Sequence, residues 1–250
     1  DTSRAFQFCL ALLGTTAAQK GPIWWASHHR HHHRHSDTPE DIHSPIISGI
    51  YFAHVGWVLS TQFIETRSDL VRDLLKFPEL RWLDKYHLIP PMLLMAAVTA
   101  LGYLLDVYAP ELHTNASQMF VWGFCVSTTL LYHGTFCINS LAHIIGKPRF
   151  LTGDDSKNSF ILALITLGEG WHNNHHAFPS SAFHGLSWWQ FDFTGLTIRV
   201  YEMLGLAKKV TRIPDSLLEK RRIDSHSQSL NVQELAMTER GTAGASFLSG

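Results

Sequence analysis

The sequence predicts an all-α protein in which integral membrane helices carry a cytoplasmic helical cap. Three observations lead to this fold class. Two long apolar segments lie near the middle of the chain, histidine-rich blocks flank them on both sides, and basic residues cluster only outside them. We therefore divide the chain into a cap segment (1–87), a transmembrane hairpin (88–138), a second cap segment (139–213) and a polar, disordered tail (214–250).

The apolar runs of the first cap segment are too short or too polar to cross a bilayer. Residues 5–18 form a run of only 14 positions, and residues 46–64 include Ser48, His54, Ser60, Thr61 and Gln62. A transmembrane helix needs about 20 predominantly apolar residues. We therefore expect both runs to form helices that pack within the cap or lie at the membrane surface.

The hairpin consists of two segments long enough to span a membrane. Residues 88–108 contain one charged side chain, Asp106, and residues 119–138 contain none. A helix of 21 residues is about 31 Å long, which matches the hydrocarbon core of a bilayer. The connection "APELHTNASQ" has no Lys or Arg, whereas six basic residues flank the hairpin: Arg72, Lys76, Arg81, Lys85, Lys147 and Arg149. The positive-inside rule places both outer ends in the cytoplasm and favours this interpretation over a buried hairpin of a soluble protein.

Composition points to histidine chemistry rather than to nucleic acid. The 250 residues include 20 Lys+Arg against 21 Asp+Glu, so no basic surface for a nucleic acid is indicated. Three single cysteines lack CxxC spacing, which argues against a disulfide framework or a zinc ribbon. The chain has 17 histidines, and imidazole is the commonest protein ligand for transition metals. After Pro214 the apolar periodicity ends, which predicts the disordered tail.

The pattern H-x-x-H-H occurs twice, on either side of the hairpin. It reads "HRHHH" at residues 29–33 and "HNNHH" at residues 172–176. In a helix, positions i, i+3 and i+4 lie on one face about 100° wide, so each block can direct three imidazoles towards a metal. The first block also allows another stripe, formed by His28, His31, His32 and His35. A purification-tag-like tract would not explain the interleaved arginines or the second block.

A third contributor lies at the cytoplasmic end of the second apolar segment, in "INSLAHIIG". Asn139 and His143 are separated by one helical turn, so one can bind a metal while the other holds a water or a ligand. Seven convergent histidines exceed the needs of one ion, and we predict two metals. Glu169 fits a Glu-x-x-His pattern with His172 only once, so we interpret it as a hydrogen-bond acceptor that orients a ligand imidazole. His54, His87, His113 and His133 have no such spacing. Iron with dioxygen chemistry is favoured, with zinc and copper still open.

Four stretches between Trp24 and Pro179 together resemble a known family: "WWASHHRHHHRHSDTPEDIHSP", "FAHVGWVLS", "INSLAHIIG" and "GEGWHNNHHAFP". They closely resemble the membrane-bound acyl desaturases of the stearoyl-CoA (Delta-9) type. That family has HxxxxH, HxxHH and HxxHH boxes, with Asn-x-x-x-His between the last two. Alignment on its W-A-x-x-H pattern selects one phase of the first block. The resemblance implies the metal ligands His29, His32, His33, His143, His172, His175 and His176, with Asn139 holding a metal-bound water.

The resemblance also implies a reaction. An acyl desaturase of this kind uses a histidine-ligated di-iron site, O2 and two external electrons to introduce a cis double bond, expected at Delta-9, into a saturated acyl chain. Because the sequence has no HPGG motif of a fused cytochrome-b domain, we expect a separate ferredoxin or cytochrome-b-type donor with a reductase. Trp25, Trp57 and Trp171 are expected to line the substrate channel. The expected location is a membrane, as a multi-pass protein with the boxes on the cytoplasmic face, such as the bacterial inner membrane.

Two departures from the family pattern affect these expectations. No HxxxxH lies before Trp24, so we expect two further ligands and a first hairpin upstream of Asp1, and the chain by itself to be inactive. Animal acyl-CoA desaturases carry basic residues where this sequence has Ser27 and Ser60-Thr61-Gln62. Acyl-lipids and acyl-carrier proteins are therefore alternative substrates to acyl-CoA. The alternative functions are a hydroxylase or monooxygenase with the same boxes and, more distantly, a non-catalytic membrane protein that binds or transports metal.

Overall fold

The computed structural model describes residues 1–223, which form helices and connecting turns. No β-strand occurs within this part of the chain, apart from isolated bridges, and the predicted all-α class is confirmed. Outside the run 46–64, the helices of six or more residues are α1 (Arg4–Thr15), α2 (Pro22–His35), α3 (Pro78–Lys85), α4 (Ile89–Tyr108), α5 (Ala116–His143), α6 (Phe160–Ile165), α7 (His172–Ala177), α8 (Phe193–Met203) and α9 (Asp215–Arg221).

The first histidine block lies on α2, and a carboxylate from α3 fixes where that helix begins. Asp84 Oδ1 accepts hydrogen bonds from the backbone amides of Ile23 (3.0 Å) and Trp24 (2.9 Å), which satisfies two of the free amides at the N-terminus of α2. A Cβ at Gly21 would lie 2.2 Å from Asp84 Oδ1, so this close approach requires glycine. Ile23 also packs against Val71 and Leu80 in a buried apolar cluster. The orientation of α2 is thus set from its first turn.

The run 46–64 is mostly helical, as the sequence predicted, but it is not one continuous helix. Residues 50–59 form an unbroken helix with a π-helical stretch at Phe52–Gly56, and short helical turns occupy Pro45–Ser48 and Thr61–Phe63. Gly49 has a φ of +80°, which a continuing right-handed helix cannot contain, and Ser60 is extended. Residues 50–59 place Trp57 against Trp24 of α2, with stacked rings whose centroids are 6.0 Å apart. One side of α2 is therefore covered.

The two predicted apolar segments are helical, and both α4 and α5 are long and apolar enough to cross a membrane. They approach closely at Gly102, where a Cβ would lie 2.6 Å from the Asn115 carbonyl oxygen and 2.7 Å from Met119 Cβ. The second helix is longer than the predicted segment because it continues through Asn139 to His143. It therefore carries both of these predicted site residues at its end.

The second block lies on the short helix α7, which its two asparagines hold in place. The side chain of Asn173 accepts hydrogen bonds from the amides of Arg149 and Phe150 and donates to the carbonyl of Phe150. Asn174 donates to the carbonyl of His184 and accepts from the side chain of Asn158. Both side chains are fully buried, so a helix of six residues is anchored on two sides.

The first residues of the predicted disordered tail form a helix instead. Residues 215–221 form α9, and Leu218 is buried against Phe150 and Phe178. Packing against these two aromatic rings thus stabilises a short polar helix. Its own sequence has too little apolar periodicity to predict a helix. Residues 224–250, the rest of the predicted tail, lie outside the described residues.

Candidate metal centre

Seven histidine side chains from α2, α5 and α7 converge in two adjacent clusters. In the first cluster, His33 Nε2 lies 3.1 Å from His29 Nε2 and 2.8 Å from His175 Nε2. The second cluster has four members, whose potential ligand atoms lie within 4.8 Å of one another: His32, His143, His172 and His176. The rings of His33 and His176 are 4.5 Å apart, so the clusters touch.

Each HxxHH block is divided between the two clusters, and the division is reciprocal. His29 and His33 of α2 enter the first cluster, while His32 enters the second; in α7, His172 and His176 enter the second, while His175 enters the first. Successive helical residues differ by 100° in direction, so positions i+3 and i+4 diverge enough to reach neighbouring centres. Each block therefore contributes to both clusters, whereas its spacing alone allowed its three imidazoles to converge on one ion.

The alternative stripe in the first block points elsewhere. His28 Nε2 lies 3.2 Å from the carbonyl oxygen of Glu65, and His31 Nε2 lies 2.9 Å from that of Glu40. Neither residue belongs to a cluster with other potential metal ligands. The structure therefore brings together the histidines of the phase that the family resemblance implied.

Three aspartates hold three of the four histidines of the second cluster in one tautomeric state. The Nδ1–H groups of His32, His143 and His176 donate to Asp41 (2.9 Å), Asp37 (2.8 Å) and Asp154 (2.7 Å), respectively. A neutral imidazole that donates from Nδ1 has its lone pair on Nε2, which in these residues faces the cluster. The Nε2 atoms of His32 and His176 are buried and have no hydrogen-bond partner among the described residues. Converging lone pairs of this kind fit a bound cation.

The protonation states also suit metal binding. Burial lowers the pKa of His29 to about 3 and that of His33 to about 2. Burial likewise lowers the pKa of His32, His172 and His175 well below the ordinary value. These imidazoles are therefore neutral at pH 7, the form that binds metals. The all-nitrogen donor set is suited to iron, zinc, copper or nickel.

A cavity of about 740 Å³ adjoins both clusters. Ligand candidates from α2 and α7 form one wall, and apolar side chains of α5 and of the α6 region form much of the rest, among them Leu130, Leu131, Ile138, Ile165 and Leu167. Asn139 also lines the cavity and is largely buried. Gln19 Nε2 donates to Thr135 Oγ1 (3.0 Å), a polar link within this largely apolar wall.

The three predicted channel tryptophans occupy different places. Trp25 lines the cavity, with its ring 4.8 Å from that of His29. Trp57 instead borders a small gap beside His43, and the indole of Trp171 faces a separate cleft while its Nε1–H donates to the carbonyl of Phe191. Neither of these two lines the large cavity.

Glu169 lies on the cavity wall, but the imidazole it meets is outside the seven predicted ligands. Its carboxylate oxygen is 3.3 Å from His184 Nδ1, and the ring of His184 lies 4.5 Å from that of His175. His43, buried with its ring 4.2 Å from that of His32, is a second neighbour that the sequence did not single out. Isolated histidines in turns have no periodicity to reveal them. The three aspartates could have been suspected from the acidic turns "SDTPEDIH" and "TGDDS".

Comparison with known proteins agrees with this geometry. The profile of the family described as "Fatty acid desaturase" matches residues 2–199. The chain belongs to the fatty acid desaturase family. This desaturase family member is 38% identical over 218 residues (86% of the chain, 55% of the relative) to the palmitoyl-monogalactosyldiacylglycerol delta-7 desaturase, chloroplastic, of Arabidopsis thaliana. It is 38% identical over 208 residues (82% and 54%) to the icosanoyl-CoA 5-desaturase of Limnanthes douglasii.

A cyanobacterial relative is covered more fully. The sn-1 stearoyl-lipid 9-desaturase of Anabaena variabilis is 37% identical over 213 residues, which are 84% of this chain and 72% of the relative. The chain spans about 55% of the length of the two plant relatives. The resemblance inferred from the histidine boxes is confirmed at the level of the family.

Proposed function

We propose that this chain carries the catalytic centre of an oxygen-dependent fatty acyl desaturase, which forms a cis double bond in a saturated acyl chain. The observation that carries the proposal is the pair of imidazole clusters, with lone pairs directed inward, on the wall of an apolar cavity. Ligand pockets of a few hundred Å³ with apolar walls and a few polar groups suit small apolar ligands.

The proposed cofactor is a pair of iron ions. One would be held by His29, His33 and His175, and the other by His32, His143, His172 and His176, with Asn139 holding a metal-bound water. When bound, the iron pair would activate dioxygen with two external electrons for the removal of two hydrogens from adjacent methylene groups. Asp37, Asp41 and Asp154 keep the Nε2 lone pairs available, and this tuning raises ligand basicity.

The cavity is proposed to position the acyl chain and to exclude water. Leu130, Leu131 and Ile138 offer an apolar wall opposite the histidines, and Trp25 closes the side next to His29. Burying the chain there would place one pair of methylene groups near the clusters, so positioning rather than acid–base chemistry is the task of these residues.

We propose that α4 and α5 cross a membrane and that the clusters lie at its cytoplasmic face. Length and apolar character support the two crossings. The basic residues outside the hairpin support the orientation. Because His143 ends α5 and belongs to the second cluster, the centre would lie at the membrane boundary, where an acyl chain can enter from the lipid. A multi-pass protein of the bacterial inner membrane is the proposed setting.

For the acyl carrier we propose a membrane lipid, and for the double bond the Delta-9 position. Ser27 stands where animal relatives carry a basic residue, and its hydroxyl is fully buried, donating to the carbonyl of Trp24 and accepting from the amide of Arg67. It is thus committed to the fold and cannot bind a phosphate. Lipid-linked 9-desaturases occur among the relatives, as do CoA-linked desaturases with other positions. A separate ferredoxin or cytochrome-b-type protein is the proposed electron source.

The proposal is tested by expressing the full-length protein and its His33→Ala variant in cells, followed by mass spectrometry of fatty acids with double-bond localisation. A new monounsaturated acid that disappears in His33→Ala but persists in His28→Ala supports the desaturase, since His28 lies outside both clusters. Lipid-class fractionation after a pulse of labelled stearate identifies the carrier. Hydroxylated acids would move the assignment to a hydroxylase, and unchanged lipids with bound iron and a working donor would contradict the proposal.

A further inference from the structure

A second cleft, of about 560 Å³, lies beside the candidate metal centre and is lined by cations and aromatic rings. Lys147, Arg149 and Arg222 contribute three positive charges, and none of the described residues that line the cleft is acidic. The carboxylate nearest to a cation of the cleft is that of Glu219, which lies 3.8 Å from Arg222. Both of these side chains are exposed. Exposed pairs of this kind neutralise little, so the cleft presents a net positive field.

The aromatic rings of this cleft lead inward to a predicted ligand. Trp189 is about half exposed, and its ring meets that of Trp171 edge to face, with centroids 5.4 Å apart. Trp171 is buried and directly precedes His172, a member of the second cluster. Ring-to-ring contact followed by covalent linkage gives a continuous path from the surface to an imidazole of the centre. Electron transfer weakens steeply with distance through empty space, so such contacts favour it.

We propose that this cleft docks a small acidic redox protein and that electrons enter the centre through Trp189 and Trp171. The proposal rests on the proposed function, because the desaturation requires external electrons. Charge complementarity selects the partner: an acidic surface is attracted by Lys147, Arg149 and Arg222 and oriented by them. An anionic lipid surface would also meet these cations, but it would not account for an aromatic path that ends at His172.

The electron balance is complete with this partner. Each encounter would oxidise the donor by one electron, which the metal pair held by the two clusters would accept. Two encounters supply two electrons, the acyl chain supplies two hydrogens, and two further protons come from water. Together these reduce one dioxygen to two water molecules and leave one carbon–carbon double bond.

The docking step is tested by affinity, without any need for turnover. The full-length protein, iron-loaded and metal-free, is titrated with an acidic [2Fe–2S] ferredoxin in a calorimeter at 50 mM and 200 mM salt. The double variant Lys147→Glu/Arg222→Glu is expected to weaken binding about tenfold or more and to flatten its salt dependence. The matched control Arg72→Glu/Lys208→Glu changes the net charge equally at exposed positions outside the cleft and is expected to stay within about twofold.

The electron path is tested by stopped-flow oxidation of reduced ferredoxin. Trp189→Leu is expected to slow this oxidation about tenfold while the Kd for ferredoxin stays within about twofold. Trp188→Leu is the control, because Trp188 is almost fully exposed and does not line the cleft. Dithionite should reduce the iron equally in all variants, which separates donor access from a damaged centre.

Clear results would overturn the inference. Unchanged ferredoxin affinity in Lys147→Glu/Arg222→Glu would refute the proposed docking site. A wild-type rate of ferredoxin oxidation in Trp189→Leu would refute the proposed electron path. If the charge variant instead loses binding to phosphatidylglycerol vesicles and keeps its ferredoxin affinity, the cleft meets a lipid surface. Failure of the proposed function has another signature: no acyl product when the iron-loaded protein is reduced with dithionite, freed of excess dithionite and then exposed to O2, whatever the ferredoxin affinity.

Discussion

The replacement Asp41→Asn tests the tautomer control of the second cluster with almost no change in volume. Asp41 Oδ1 accepts from His32 Nδ1 (2.9 Å) and from the amide of His43 (3.2 Å), while Oδ2 accepts from the amide of Asp37 (2.8 Å). Every partner of the carboxylate is a donor, and its side chain is completely buried. An asparagine must therefore direct its NH₂ group towards a donor in either orientation.

Both orientations are unfavourable. If the NH₂ faces the Asp37 amide, a buried donor is left without an acceptor, which costs about 1–3 kcal/mol of stability. If it faces His32, the imidazole must accept at Nδ1 and carry its proton on Nε2, where no metal can then bind. Loss of such an orienting carboxylate typically lowers metal affinity about 10–100-fold, or about 1.4–2.7 kcal/mol.

The assay is the iron content of purified full-length protein after dialysis against graded chelator concentrations. We expect Asp41→Asn to lose one iron at a roughly 10–100-fold lower chelator concentration than the wild type, while the iron of the first cluster is retained. Asp73→Asn is the control, because Asp73 pairs with Arg30 on an exposed surface. Identical chelator profiles for the wild type and Asp41→Asn would refute the reasoning.

Three further predictions concern stability and the cavity. The pKa values of His29 (about 3) and His33 (about 2) lie below the value of about 6.5 in the unfolded chain, so the unfolded state binds more protons between these pH values. The free energy of unfolding of the metal-free protein should therefore fall by about 1.4 kcal/mol per histidine when the pH is lowered from 7.5 to 5.5. Urea unfolding in detergent at both pH values measures this, and equal midpoints would contradict it. Gly102→Ala should destabilise the protein by about 1–3 kcal/mol at the α4–α5 contact. Gly123→Ala should not, because its added Cβ would have its nearest neighbour at 3.7 Å. Thermal unfolding compares the two variants, and equal melting temperatures would count against the contact. Gly134→Leu, which projects into the cavity, should leave two irons bound but lower turnover on long acyl chains on the order of tenfold or more. Wild-type turnover there would place the acyl chain elsewhere.

Much of the candidate site could be predicted from the sequence because helical periodicity concentrates its histidines. Spacings of three and four residues predicted the members contributed by α7, and the one-turn relation of Asn139 to His143 predicted the contribution of α5. For α2 the spacing allowed two sets of histidines, and the family resemblance chose between them. The reciprocal division of the two blocks could not be predicted, because it depends on how α2 and α7 are placed across from each other.

Long-range contacts account for the other differences. Asp37 and His143 are 106 residues apart in the chain, so no local pattern indicates their hydrogen bond. Trp171 was expected in the channel because it adjoins a histidine box, but its indole turns away to meet Trp189 and the carbonyl of Phe191. The break at Gly49 follows from a positive φ that an apolar run conceals.

The measurement that most directly tests the paired centre is the number of iron ions per chain in the full-length protein, determined by mass spectrometry of the metal. The structure predicts two irons in the wild type and in His28→Ala, and one iron each in His33→Ala and His176→Ala, whose residues belong to different clusters. X-ray absorption of the two single-site variants should then show different, nitrogen-rich environments. A wild type that binds a single iron, or variants that both retain two, would contradict the assignment of two histidine clusters to two metal ions.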